Sequence, residues 1–319
     1  MNTVIAHEGG WFASELSPSD WRVPLTDDVL AEIEAVARRD VRSAPRQELW
    51  SPALTELART VRRRVGGPLG FVVLTGFPVE HRPPQWVETA YLALGAHLGR
   101  AVSQSRRGDF VGYVRDRGAD IGAHDQRGYE SSAELPFHAD RSDLIGLLCV
   151  RRAGTGGVSR LASAVALHNT LLMEAPDLLA ALYRHLPVDR RGEEFPGERP
   201  WAALPVFAGV GGQLVTRYVR RFVAASQRWP DAPRLGPDEL AAMDRLDEVL
   251  ERPGMALEME LHPGDVQLID NFRLLHSRTA FTDGSGGGRL LLRLWLAHQD
   301  SPHLQEAFRF LYGSVEAGC

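Results

Sequence analysis

The sequence predicts a mainly β chain decorated with helices, and three observations carry that expectation. Short apolar runs recur at residues 144–150, 266–269 and 289–296, each of the length of a buried strand. Turn chemistry brackets them: Pro263-Gly264-Asp265 precedes the second run, and the Gly-rich stretch from Asp283 to Gly288 precedes the third. Helical periodicity is confined to segments before and between these runs. A chain of 319 residues can bury a large core, and no linker separates periodic blocks. One domain over residues 1–319 is therefore expected, with a helical N-terminal part, a β core over roughly 70–299 and an insertion over roughly 165–255.

In chain order, Ser51-Pro52 can start a helix with Pro at its first position, and Leu54, Leu57, Val61 and Val65 follow at helical spacing. Residues 70–78 read as an early strand, 84–99 as a helix and 110–114 as a strand. Ser103-Gln104-Ser105 lies just before that strand. Residues 122–137 lose periodicity and read as a polar loop, a candidate lid. Residues 165–186 read as two short helices broken at Pro176, and 189–201 as a flap. Strands at 206–207 and 213–216 flank a turn at 209–212. A helix at 218–229 carries Arg220, Arg221 and Arg228, read as a solvated face. An amphipathic helix at 237–251 completes the insertion.

Two separated segments carry the chemistry. Leu135-Pro136-Phe137-His138-Ala139-Asp140 offers His-x-Asp, and His276 follows the strand-like run at 266–269. On a strand, residues two apart share a face, so His138 and Asp140 point the same way. Taken singly, each histidine reads as an ordinary hydrogen-bonded or surface residue. Together the three make a two-histidine, one-carboxylate set, which binds Fe(II) and leaves positions open for a bidentate cosubstrate and O2. Arg289 and Arg293, four apart on the last strand, also share a face among large apolar residues. A buried arginine needs an anion, supplied either by protein carboxylates or by a carboxylate-bearing small molecule. Glu134, four before His138, is expected to face the same way and is a candidate substrate contact. His124, in the candidate lid, is another.

These residues resemble the TauD/TfdA group of Fe(II)/2-oxoglutarate-dependent oxygenases, which includes the clavaminate synthase-like amino-acid hydroxylases. The resemblance runs from about Gly70 to Gln299. It implies a double-stranded β-helix, a jelly-roll (cupin-like) barrel with outer helices. It implies iron ligation by His138, Asp140 and His276, and 2-oxoglutarate binding by Arg289. Arg293 matches a second arginine that meets the substrate's acidic group or supports the cosubstrate. Gly156-Gly157-Val158-Ser159 matches a segment whose hydroxyl assists 2-oxoglutarate, with Ser159 where the family has Thr. Asp140 argues for hydroxylation against halogenation, because related halogenases lack that carboxylate. Desaturation, cyclisation and epoxidation use the same ligands and stay open. The expected substrate is a small amino-acid-like or acidic molecule or a secondary-metabolite intermediate.

Composition narrows the remaining classes. The net charge is −5, so a basic nucleic-acid footprint is not expected. All 36 basic residues other than histidine are arginine, which is read as coding bias. Two cysteines, Cys149 and Cys319, have no CxxC partner, which argues against a zinc or disulfide framework. No apolar run is long enough to span a membrane, so a cytoplasmic protein is expected. The competing readings are a zinc hydrolase using the same ligands and a non-catalytic jelly-roll binding protein. The oligomeric state is not fixed by the sequence.

Overall fold

The structure is a computed structural model that describes residues 6–38, 51–104, 108–120, 128–192, 194 and 196–297. Its centre is a pair of sheets. The larger has seven strands, ordered Arg22–Pro24, Phe71–Thr75, Val266–Asp270, Leu144–Arg151, Leu290–Ala297 and Arg100–Ala101, with Val111–Val114 also paired to Leu290–Ala297. The smaller has four, ordered Ala256–Met259, Ser159–Ser163, Leu274–Arg278 and Leu135–His138. Among the described residues no strand joins the two sheets into a closed barrel.

Alternation along each strand sorts the side chains into layers. Phe71, Ile145, Cys149, Leu161, Ile269, Leu274, Leu291 and Trp295 fill the space between the sheets. Val72, Leu148, Leu268, Leu292 and Leu294 face outward from the larger sheet, against helices Asp27–Ala37, Pro52–Val65 and Pro84–Leu98. Ala162 and Leu275 face outward from the smaller sheet, against helices Ala164–Glu174, Pro176–Leu182 and Pro237–Leu250. The order is helices, sheet, sheet, helices.

Local chemistry places these elements. Ser51 Oγ accepts from the Leu54 amide (3.3 Å) and Pro52 opens the helix, whose Leu54, Leu57, Val61 and Val65 are buried as their spacing requires. Gly264, at φ +87°, makes the turn ahead of Val266–Asp270. A Cβ there would lie 2.6 Å from the Phe77 carbonyl oxygen, so only glycine fits. The expected helix at 218–229 is shorter, Arg220–Ser226. The ends of the expected flap pair as strands, Leu186–Asp189 with Trp201–Leu204.

Candidate active site

Strand Leu274–Arg278 pairs with Leu135–His138 so that His276 lies directly opposite His138. Their ring centroids are 4.2 Å apart. The strand ends at His138, and Asp140 lies just past it rather than on it. One donor atom from each of His138, Asp140 and His276 falls within 4.8 Å of the others.

What keeps Asp140 on the site is a set of contacts from distant segments. Buried Asn271 grips its backbone: Asn271 Oδ1 accepts from the Asp140 amide (2.8 Å), and Nδ2 donates to the Asp140 and Ser142 carbonyls (both 2.7 Å). The carboxylate is oriented from the last strand. Its Oδ2 accepts from Arg293 Nη1 (3.1 Å) and Trp295 Nε1 (3.0 Å), while Oδ1 faces His138 Nε2 at 3.9 Å. Gln104 Oε1 holds Arg293 Nε (2.8 Å), and Gln104 Nε2 donates to the Arg293 carbonyl (2.8 Å).

The protonation states suit a cation. Burial opposes ionisation of Asp140, but Arg293, the two histidines and the Trp295 N–H hold its carboxyl well below the usual range. Burial lowers His138, and it lowers His276 to about 3. Arg221 pushes His138 further down, and Arg217 does the same to His276. Both imidazoles are therefore neutral near neutral pH. The His138 Nδ1 lies 2.9 Å from the Pro136 carbonyl, an acceptor, so the ring proton sits there and Nε2 presents a lone pair. A lone pair and a carboxylate oxygen face each other with no proton between them, which is an arrangement a metal ion satisfies. Two imidazoles and one carboxylate are the donor set of non-haem Fe(II).

A cavity of about 300 Å³ opens against this cluster. Tyr129, Phe137, Phe222 and Trp295 supply aromatic walls, and Arg141, Arg217, Arg220, Arg221 and Arg293 also line it, with Asp140 and Asp247. Arg220 and Arg221 were expected on a solvated face; both line the cavity instead. Periodicity separates one helical face from another but does not say what lies opposite it. Arg228 pairs with Asp189, Nε to Oδ2 at 3.0 Å. Arg293 takes the protein-carboxylate partner, Asp140, and still borders the cavity.

Glu134 departs from the expected facing. His138 pairs with His276 but Leu135 pairs with Arg278, so three residues on one strand oppose two on the other. That bulge reverses the alternation. Glu134 is exposed, 3.9 Å from Arg160 on the outer side, and does not line the cavity. His124 and residues 122–127 of the candidate lid lie outside the described residues.

Arg289 and Ser159 lie away from the main cavity. Arg289 lines a second, smaller cavity of about 50 Å³ with Cys149, Thr155, Gly156 and Gly157. Gly157, at φ +72°, lets the backbone pass close to it: a Cβ there would be 3.0 Å from Arg289 Nε. Ser159 Oγ and the Gln267 amide hydrogen-bond between the sheets (Gln267 Nε2 donating, 3.0 Å). Arg278, two residues past His276 on the same face, was not singled out from the sequence, although strand alternation could have found it. Both guanidiniums are buried, both stack on Phe281, and burial brings each down to about 10, with Arg289 pushing Arg278 further down. Arg289 Nη1 and Arg278 Nε and Nη1 are buried with no hydrogen-bond partner. Two nearby positive charges with buried, unused donors describe a receptor for an anion.

Two facing sheets that hold a His-Asp-His cluster beside an anion receptor define a non-haem iron oxygenase. The chain belongs to the TauD/TfdA family: the sequence model described as "Taurine catabolism dioxygenase TauD, TfdA family" matches residues 43–295. It is accordingly a dioxygenase dependent on Fe(II) and 2-oxoglutarate. It is similar to FR-33289 synthase of Streptomyces rubellomurinus, 35% identical over 293 residues, covering 87% of this chain and 85% of that protein. Among solved structures, asparagine oxygenase in complex with Fe(II), 3-hydroxyasparagine and succinate aligns with a TM-score of 0.67 at 22% identity, over 90% of this chain and 98% of that one. The non-haem iron oxygenase OrfP, in complex with Fe and α-ketoglutaric acid, aligns with a TM-score of 0.62 at 20% identity, over 90% and 98%. Among the described residues no helix is long and apolar enough to cross a membrane.

Proposed function

We propose that the chain is a single-domain oxygenase of residues 1–319, with its two sheets forming a double-stranded β-helix, that hydroxylates a small amino-acid-like or acidic molecule in the cytoplasm. His138, Asp140 and His276 hold Fe(II), Arg289 binds the distal carboxylate of 2-oxoglutarate with Ser159 assisting, and Arg293 orients Asp140. The observation that carries this reading is the orientation of Asp140. Its Oδ2 is occupied by Arg293 and Trp295, which leaves Oδ1 and the His138 lone pair aimed at one another. Bound together, Fe(II) and 2-oxoglutarate supply the oxidising chemistry: O2 and the cosubstrate give succinate and CO2, with one oxygen atom passing to a C–H bond of the substrate.

The chain's own residues do the rest. Arg278 lies two residues beyond His276 on the same face, about 6–7 Å along the strand. That span suits a five-carbon diacid reaching from the triad to the paired Arg278 and Arg289. The Asn271 grip fixes Asp140 before any ligand arrives, which lowers the ordering needed on binding. The aromatic walls of the cavity exclude water from the reacting bond.

An anaerobic titration of the metal-free protein with Fe(II) and then 2-oxoglutarate tests this. The expected result is a visible charge-transfer band that His138→Ala abolishes, with succinate formed under air alongside turnover of one compound from a panel of amino acids and small acids. Absence of the band in the wild type would overturn the reading.

A further inference from the structure

Arg278 belongs to more than the anion receptor. It ends strand Leu274–Arg278, two residues beyond His276 on the same face, and only one of its three guanidinium nitrogens has a hydrogen-bond partner among the described residues. That nitrogen, Nη2, donates to the Ser131 carbonyl (2.9 Å) and to the Ala133 carbonyl. Between them, the Ser132 carbonyl accepts from the Phe281 amide (3.0 Å), and Phe281 is the ring on which Arg278 and Arg289 both stack. Three successive carbonyls of one segment are thus clasped by Arg278 and Phe281. Asp116, whose carboxylate accepts from Ser132, adds a negative charge to the clasp, but it is exposed and bonds neither of the buried donors Nε and Nη1. The clasped segment also reaches the substrate side. Gly128–Glu130 is a single 3-10 turn, closed by the Ser131 amide on the Gly128 carbonyl (3.3 Å). Its Tyr129 lines the main cavity and covers Arg293, the side chain that holds Asp140, with the guanidinium carbon 4.6 Å from the ring centroid.

We propose that Arg278 is a positioning residue that couples the cosubstrate site to the wall of the substrate cavity. The distal carboxylate of the cosubstrate, bound at Nε or Nη1, fixes the guanidinium, and Nη2 then fixes the Ser131 and Ala133 carbonyls and with them the turn that carries Tyr129. This rests on the reading of Arg278 and Arg289 as the cosubstrate's anion receptor and gives the two arginines different tasks: Arg289 anchors the diacid, and Arg278 transmits its arrival. The shape of the side chain makes it suited to this. A guanidinium is flat and rigid, so its N–H groups keep fixed directions relative to one another, and restraining one nitrogen restrains the others. Without the cosubstrate, Arg278 is anchored through Nη2 alone and is repelled by Arg289. A carboxylate between them turns that repulsion into a shared attraction. A turn stiffened before the substrate arrives costs less ordering when the substrate meets Tyr129, and by linkage a substrate held against Tyr129 tightens the cosubstrate in return.

Amide hydrogen exchange of the full chain, loaded anaerobically with Fe(II), tests this with two 2-oxo acids. One is 2-oxoglutarate; the other is 2-oxobutanoate, which presents the same chelating head and lacks the distal carboxylate. The charge-transfer band confirms that each is bound. 2-Oxoglutarate is expected to slow exchange across residues 128–133 and at the Phe281 amide about tenfold, within the usual range of coupling between sites, while 2-oxobutanoate leaves both as they are with iron alone. Arg278→Lys keeps a charge for the carboxylate but has no flat fork, so it is expected to bind 2-oxoglutarate and to lose the slowing. The comparison of the two acids in the wild type stands as a test even if that variant fails to fold. Equal slowing by both acids, or slowing by neither, would overturn the proposal. So would slowing by 2-oxoglutarate that persists in folded Arg278→Lys. Absence of the charge-transfer band with 2-oxoglutarate refutes the oxygenase reading and this inference with it, whereas a band without the slowing refutes this inference alone.

Discussion

Replacing Arg289 with methionine should strengthen the empty protein and cripple the loaded one. The guanidinium is buried, its Nη1 has no hydrogen-bond partner, and burial holds it at about 10 against an ordinary 12.5. At about 1.4 kcal/mol for each pH unit, carrying that charge costs the empty fold on the order of 3 kcal/mol. Arg278 beside it adds repulsion. Methionine keeps the unbranched stem and removes the charge, so part of that cost is recovered and the melting temperature of the metal-free, cosubstrate-free protein should rise by a few degrees. With 2-oxoglutarate the sign reverses. Truncating one partner of a buried, hydrogen-bonded charge pair costs about 2–5 kcal/mol. A middle value of about 3 kcal/mol corresponds to a roughly 150-fold weaker Kd. Iron affinity should hold, because Arg289 does not touch the triad. The assay is a pair of melting curves, with and without saturating 2-oxoglutarate, plus a Kd from the charge-transfer band. If Arg289→Met binds 2-oxoglutarate within about twofold of the wild type, or melts several degrees lower when empty, the reasoning fails.

Two further substitutions probe the frame around the site. Burial raises the carboxyl of Asp270 to about 7, so the folded state favours the protonated form. Its stabilising effect is present below about pH 4 and lost as pH rises towards 7, after which a charged carboxylate sits in the fold. Asp270→Asn keeps an acceptor for the Phe272 amide (3.0 Å) and should stabilise the protein by up to ~4 kcal/mol above neutral pH and not below pH ~4; melting curves across that range check it, and a gain independent of pH would refute it. Arg293→Met removes one of two donors from Asp140 Oδ2 and should weaken Fe(II) binding about 10–100-fold while the fold persists through Trp295 and Asn271; unchanged iron affinity in an anaerobic titration would contradict the orienting role of Arg293.

Features that depend on local period were legible in the sequence. The buried runs at 144–150 and 266–269 became central strands, and the Gly264 turn sits where its residues demanded. What escaped the sequence depends on segments that meet only in the fold. Asn271 was visible five residues before His276, but its hold on Asp140 exists only because their loops adjoin. Gln104 lay just before an expected strand, yet its grip on Arg293 spans 189 positions. The facing of Glu134 was misjudged because a bulge inserts one residue against the partner strand, and a period-two argument has no means of counting that residue. Arg220 and Arg221 were assigned to solvent on helical spacing, which is silent on whether a cavity or bulk water lies opposite.

The pairing of His138 with His276 also bears on the making of the protein. The two halves of the candidate metal centre belong to strands far apart in the chain, and the Asp140–Asn271 grip closes a loop of 131 positions. Contacts of such long range form late, after much entropy has been surrendered. A nascent chain that has not yet reached Asn271 holds two of the three donors and lacks the residue that grips Asp140, as well as His276 and the strand that orients the Asp140 carboxylate. The oxidising centre is thereby withheld from an unfinished protein, whose exposed strands would otherwise stand beside reactive iron.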